Sequence, residues 1–141
     1  MSKISSVSQD IQDLFKRAQE VRERSYSPYS KCKVGAAIKT PSGKIYVGCN
    51  VENASYGATV CAERTAIQSA IADQGSLDIQ EVMVVTEANP PWPPCGMCRQ
   101  VIAEFGKNPK IYLANLNGDY QVLQWQELYP LSFTPSHLTK K

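Results

Sequence analysis

Residues 82–86, VMVVT, form a continuous apolar run between two stretches of helical period. A strand without polar alternation has to be covered on both faces, so this run reads as the central strand of a sheet with helices on either side. The surrounding sequence supplies them. Ile11, Leu14, Phe15, Ala18 and Val21 recur at helical spacing within 9–24. Ala66, Ile67, Ala70 and Ile71 do the same within 62–75, where Gly75 provides a stop. GMCRQVIAEFG reads as a third helix, ending at Gly106.

The remaining strands follow from turn chemistry. SYSPYS (25–30) ends the first helix. KVGAAIKT (33–40) and IYVGCNVE (45–52) flank the turn PSGK, which predicts an antiparallel hairpin. KIYLANL (110–116), the turn NGD and YQVLQW (120–125) add two more strands. The proline-rich EANPPWPP is a loop, and ELYPLSF a short helical or irregular segment. The order α, β-turn-β, α, β, α, β, β predicts a three-layer α/β/α sandwich over a mixed five-stranded sheet, in one domain spanning 1–141. Strands joined through helices should run parallel by right-handed crossovers.

Composition narrows the function classes. A net charge of +2, with both signs interspersed, gives no basic stripe for nucleic acid. No apolar run is long enough for a bilayer. The opening MSKISSVSQDIQD lacks the apolar stretch of a signal peptide, so a cytoplasmic protein with reduced thiols is expected. Five cysteines, an odd number, also argue against a disulfide framework.

Three of those cysteines stand at two helix beginnings: Cys61 in TVCAER, and Cys95 and Cys98 in PPCGMCRQ. A C-x-x-C pair alone fits zinc, redox chemistry or simple packing. Redox chemistry wants the pair after the first strand, whereas here it comes late. Cys61 sits at the matching position of the preceding unit, and strand-to-helix junctions of an α/β sheet converge on one edge. Three convergent thiolates with no fourth protein ligand resemble a catalytic zinc site, which keeps one position open; a structural site normally has four ligands. Helix N-termini favour thiolates through their positive end and free N–H groups. Three thiolates overcompensate Zn²⁺, so a cation should draw charge from the sulfurs. Arg64 and Arg99 are the candidates, and Arg64 is favoured. Glu63, too close to Cys61 to be a convincing ligand, is placed to take and pass on a proton beside the open position. Its bland alternative is a solvated surface carboxylate. Cys32 and Cys49 read as packing residues, and His137, the lone histidine, as a surface residue.

SYSPYS, GCNVENASYG, CAERTAI, PCGMCRQ and the final LSF together resemble the cytidine deaminases of the small, homotetrameric, three-cysteine kind. C-A-E with P-C-x-x-C matches the pattern known for zinc-dependent deaminases. The resemblance implies one Zn²⁺ per subunit on Cys61, Cys95 and Cys98, with Glu63 shuttling protons. It implies a small nucleoside substrate, cytidine or deoxycytidine, deaminated to uridine or deoxyuridine with loss of ammonia. Asn50 and Glu52 match the residues that hold the ribose hydroxyls, and the carbonyl of Pro94 the acceptor for the substrate's amino group. Ala54 and Tyr56 fall in the segment that reaches a neighbouring subunit's site, and Phe133 matches an aromatic contributed from another subunit. One departure stands out. Cys32 occupies a position where the family commonly carries a phenylalanine against the base, while the longer loop ANPPWPP offers Trp92.

Overall fold

The computed structural model describes residues 1–139. Strands β1 (Ser2–Lys3), β2 (Gly35–Lys39), β3 (Ile45–Cys49), β4 (Glu81–Thr86), β5 (Lys110–Asn115) and β6 (Asp119–Leu123) form one mixed sheet in the order β1-β6-β5-β4-β2-β3. The helices are α1 (Gln9–Arg22), α2 (Ala62–Gln74), α3 (Gly96–Phe105) and the single turn α4 (Trp125–Leu128).

The central run behaves as its composition requires. Val82 and Val84 pack with Ala66, Ile67 and Ala70 of α2 and Ile102 of α3. Met83 and Val85, on the opposite face, pack with Leu14 and Ala18 of α1. Period-two alternation therefore feeds two separate cores from one strand, and all four side chains are buried. The three-layer expectation holds, with α1 on one face and α2 and α3 on the other.

The sheet has six strands rather than five. The extra one, β1, pairs antiparallel with the edge strand β6 through Ser2–Tyr120 and Lys3–Asp119. Two polar residues carry no periodicity; pairing to an exposed edge creates this strand, with Lys3 Nζ 2.7 Å from Asp119. The last strand also ends earlier than its sequence suggests. Gln124 caps α4 in a reciprocal capping box with Glu127, which takes Trp125 into the helix.

β4 and β5 are parallel across α3. β2 lies antiparallel to both β3 and β4, so β3 and β4 point the same way across α2 with β2 between them. The chain accordingly leaves β3 and β4 at the same edge of the sheet, and α2 and α3 begin there. Gly48 brings α2 down onto β3: a Cβ at this position would lie 2.4 Å from the Ala66 nitrogen and 2.6 Å from the Ala62 carbonyl oxygen. No helix among the described residues is long and apolar enough to cross a membrane.

Candidate active site

Cys61 is the N-cap residue of α2 and Cys95 that of α3, and neither caps its own helix through its side chain. Their sulfurs turn towards each other instead. Cys61 Sγ lies 3.8 Å from Cys95 Sγ, and Cys95 Sγ 3.5 Å from that of Cys98, which is fully buried in the first turn of α3. All three ligand atoms lie within 4.8 Å of one another. Zinc–sulfur bonds of about 2.3 Å in tetrahedral geometry place two sulfurs about 3.8 Å apart, so the set fits Zn²⁺ closely.

The two arginines beside the sulfurs have different partners. Arg64 Nη2 donates to Cys61 Sγ at 3.5 Å and to the Thr59 carbonyl at 3.3 Å. Its Nε is buried with no partner among the described residues. Arg99 is committed to the carbonyls of Pro94 and Leu128, each at 2.8 Å, and braces the end of the loop before α3 rather than a sulfur. Hydrogen bonding from the Cys98 thiol, aided by Arg64 and Cys95, pulls the Cys61 thiol down to about 5 against the opposing effect of burial. The Cys98 thiol moves strongly upward, because it hydrogen-bonds the Cys61 thiolate and is buried. Of this pair, negative charge is therefore favoured at Cys61, beside the guanidinium.

Glu63, in the first turn of α2, is only 4% exposed. Burial, with a smaller contribution from charge on Cys61, pushes its carboxyl up to about 7. It is not the solvated surface group that a helical glutamate usually is. Glu63 opens onto a cleft of about 230 Å³ that it shares with Cys61 and Cys95. The floor comes from Val84 and Thr86 at the end of β4, and other walls from Val34, Thr59, Trp92 and Pro93.

Asn50 and Glu52 also line this cleft. Both are already engaged in bracing it. Asn50 Nδ2 donates to the Cys32 carbonyl at 2.8 Å, while its Oδ1 accepts the Val34 N–H at 2.9 Å and the Ser25 hydroxyl. The Glu52 carboxylate accepts the N–H groups of Tyr29 and Ser30, at 3.0 and 3.1 Å, and the Ser30 hydroxyl. These bonds, led by the Ser30 hydroxyl, hold its carboxyl below the usual range. The two side chains therefore pin the segment 25–34 against the strand end.

The other candidates lie apart. Ala54 is exposed and absent from the cleft lining. Tyr56 is 75% exposed, with its ring 5.8 Å from that of Tyr29, on a shallower recess that adjoins the cleft through Glu52 and Thr59. Phe133 stacks on His137 at 5.3 Å, and its carbonyl accepts from Gln100 at 2.8 Å. Pro94 is buried, with Trp92 and Pro93 of the same loop on the cleft surface. Cys32 turns its thiol to the Ser30 carbonyl at 3.4 Å and does not line the cleft. Sequence reasoning missed Val34, Thr59 and Thr86. Thr86 was findable, as the last residue of a central strand at the ligand-binding edge. Val34 and Thr59 had no signal beyond lying close to strand or helix ends.

An α/β sandwich carrying three thiolate donors at converging helix N-termini, one donor short of a closed tetrahedron, defines a protein built around an open zinc site. Residues 8–114 match the family model described as the cytidine and deoxycytidylate deaminase zinc-binding region, and the chain belongs to that family. It is 48% identical over 126 residues to a cytidine deaminase of Halalkalibacterium halodurans, covering 89% of this chain and 95% of that one. It is 44% identical over 132 residues to a cytidine deaminase of Sporosarcina psychrophila, covering 92% and 96%. The crystal structure of a cytidine deaminase from Burkholderia pseudomallei superposes with a TM-score of 0.83 at 44% identity, covering 90% of this chain and all of that one.

Proposed function

We propose that the protein hydrolyses the 4-amino group of cytidine and deoxycytidine, releasing ammonia and leaving uridine or deoxyuridine. The observation that carries this reading is the burial of Glu63 in the cleft that Cys61 and Cys95 line, with the buried Cys98 sulfur completing their group. The three sulfurs would hold Zn²⁺, which when bound acidifies a water and supplies Lewis-acid stabilisation.

The rest of the chemistry belongs to the chain. Glu63 takes the proton of the attacking water and delivers it to N3, which makes C4 electrophilic. The C4–O bond forms, Glu63 moves a second proton to the amino group, and the C4–N bond breaks with loss of ammonia. One carboxyl acts as base and then as acid, so a value near neutrality suits both tasks. Arg64 holds charge on Cys61 and restrains the donor strength of the sulfurs.

Asn50 and Glu52, in the lining of the same cleft, would take the ribose hydroxyls. An ionised Glu52 repels a 5′-phosphate, which favours nucleosides over nucleotides. The Pro94 carbonyl, with one lone pair given to Arg99, keeps another for the departing amino group. Ala54, Tyr56 and Phe133 lie away from the cleft of their own subunit; in a homotetramer they would complete the sites of neighbours. The chain would work as a single domain over 1–141, in the cytoplasm.

The test is incubation of zinc-loaded protein with cytidine. Loss of the cytidine ultraviolet band with equimolar ammonia is expected. Stoichiometric zinc with no ammonia release would reject the reading in favour of a non-catalytic zinc module.

A further inference from the structure

We propose that Trp92 is the aromatic wall on which the substrate's ring stacks, a contact that sets affinity for the base. The proposal deepens the deamination reading and rests on it. Trp92 lines the same cleft as Glu63, Cys61 and Cys95. At about 230 Å³ the cleft is smaller than the roughly 300–1,000 Å³ of ordinary ligand pockets. A heteroaromatic ring that reaches Glu63 and the sulfurs in so small a space contacts the walls around them, Trp92 among them. Its other walls are aliphatic, hydroxyl, carboxyl or carboxamide groups, among them Val34, Val84, Thr59, Thr86, Glu52 and Asn50. Trp92 supplies the one π-face on this lining.

The loop fixes the backbone that presents the indole. Pro91 and Pro94 are buried and anchor the segment at both ends, while Trp92 and Pro93 between them are exposed. Proline fixes φ on either side, so presenting the ring costs little further chain entropy. The backbone N–H of Trp92 donates to Thr86 Oγ1 at 3.4 Å, tying the loop to the end of the central strand on the cleft floor. Trp92 is nevertheless 49% exposed, whereas the other tryptophan, Trp125, is 3% exposed and belongs to the core. A large aromatic presented at a cleft by a restrained loop, and left half in water, gains its missing contacts when a flat ring enters.

The tests are kinetics and fluorescence on zinc-loaded parent, Trp92→Ala and Trp92→Phe proteins. Base–aromatic stacking is worth about 1–3 kcal/mol, so Trp92→Ala should raise KM for cytidine roughly 5- to 150-fold. Loss of uniform binding leaves kcat much less affected, and Trp92→Phe should recover most of the loss. Uridine should quench the parent's tryptophan emission saturably and leave that of Trp92→Phe, which reports Trp125 alone, unchanged. A KM within twofold of the parent in Trp92→Ala overturns the proposal. So does a fall in kcat at unchanged KM, or a change in zinc content or sedimentation that accounts for the kinetic loss. A parent protein that releases no ammonia defeats the deamination reading instead. The uridine quench then decides the stacking by itself, and its absence sinks the proposal.

Discussion

The sulfurs of Cys61 and Cys95 lie 3.8 Å apart although 34 residues separate them along the chain. Nothing local produces that contact. It follows from β3 and β4 pointing the same way and delivering two helix N-termini to one edge of the sheet. Removing one sulfur should therefore remove the metal without removing the fold. Cys95→Ser is expected to abolish stoichiometric zinc by elemental analysis, with the far-ultraviolet dichroism kept. Bound at about a thousandfold over its Kd, the metal adds about 4 kcal/mol to stability. At roughly 2–4 °C per kcal/mol, chelation should then lower Tm by roughly 8–16 °C in the parent and leave Cys95→Ser unmoved.

Glu63 is buried without being a member of the sulfur group, and this separates two roles that a single variant can test. Glu63→Gln keeps the volume and a polar end but removes the proton carrier. Zinc content should stay at the parent level while cytidine turnover falls by at least about 10²–10⁴-fold. Glu63→Ala should behave alike, with some loss of packing besides. Near-normal turnover in Glu63→Gln would remove this residue from the chemistry.

Gly48 links the sheet to the metal site. A methyl group there would press on the backbone of Ala62, which lies between Cys61 and Glu63, and on that of Ala66. Backbone in a helix does not move aside as a flexible side chain would, so the first turns of α2 must lift from β3. Gly48→Ala is expected to cost about 1–3 kcal/mol in urea unfolding and to weaken zinc binding as well. A variant with parent stability and parent zinc affinity would show that α2 is free to shift.

The sequence carried most of this architecture, for physical reasons that differ from element to element. β4 was legible because a strand buried on both faces needs unbroken apolar residues. The sulfur cluster was legible because two matching strand-to-helix junctions each began with cysteine, and Arg64 because it follows Cys61 by one helical turn. β1 was not legible, since two polar residues become a strand only when the β6 edge is there to pair with. Nor was the bracing of 25–34 by Asn50 and Glu52, because hydrogen bonds between segments some twenty residues apart leave no local pattern.

Glu52 gives the site a defined acid edge. Its carboxylate is held ionised by the Ser30 hydroxyl and by the N–H groups of Ser30 and Tyr29, which keeps its pKa below the ordinary glutamate value of about 4.3. A pKa lower in the folded than in the unfolded protein means that the stabilisation is fully present above the unfolded value. It is lost as pH falls through the folded one. The clamp on 29–30 should therefore hold at pH 5 and open only at lower pH. In a nuclear magnetic resonance titration, the Tyr29 and Ser30 amide signals should move together with a midpoint below that of an ordinary glutamate. Ser30→Ala, which removes the leading hydrogen bond, should bring the midpoint up towards the ordinary value. Amides that titrate at or above the ordinary value in the parent would show that Glu52 does not hold this loop.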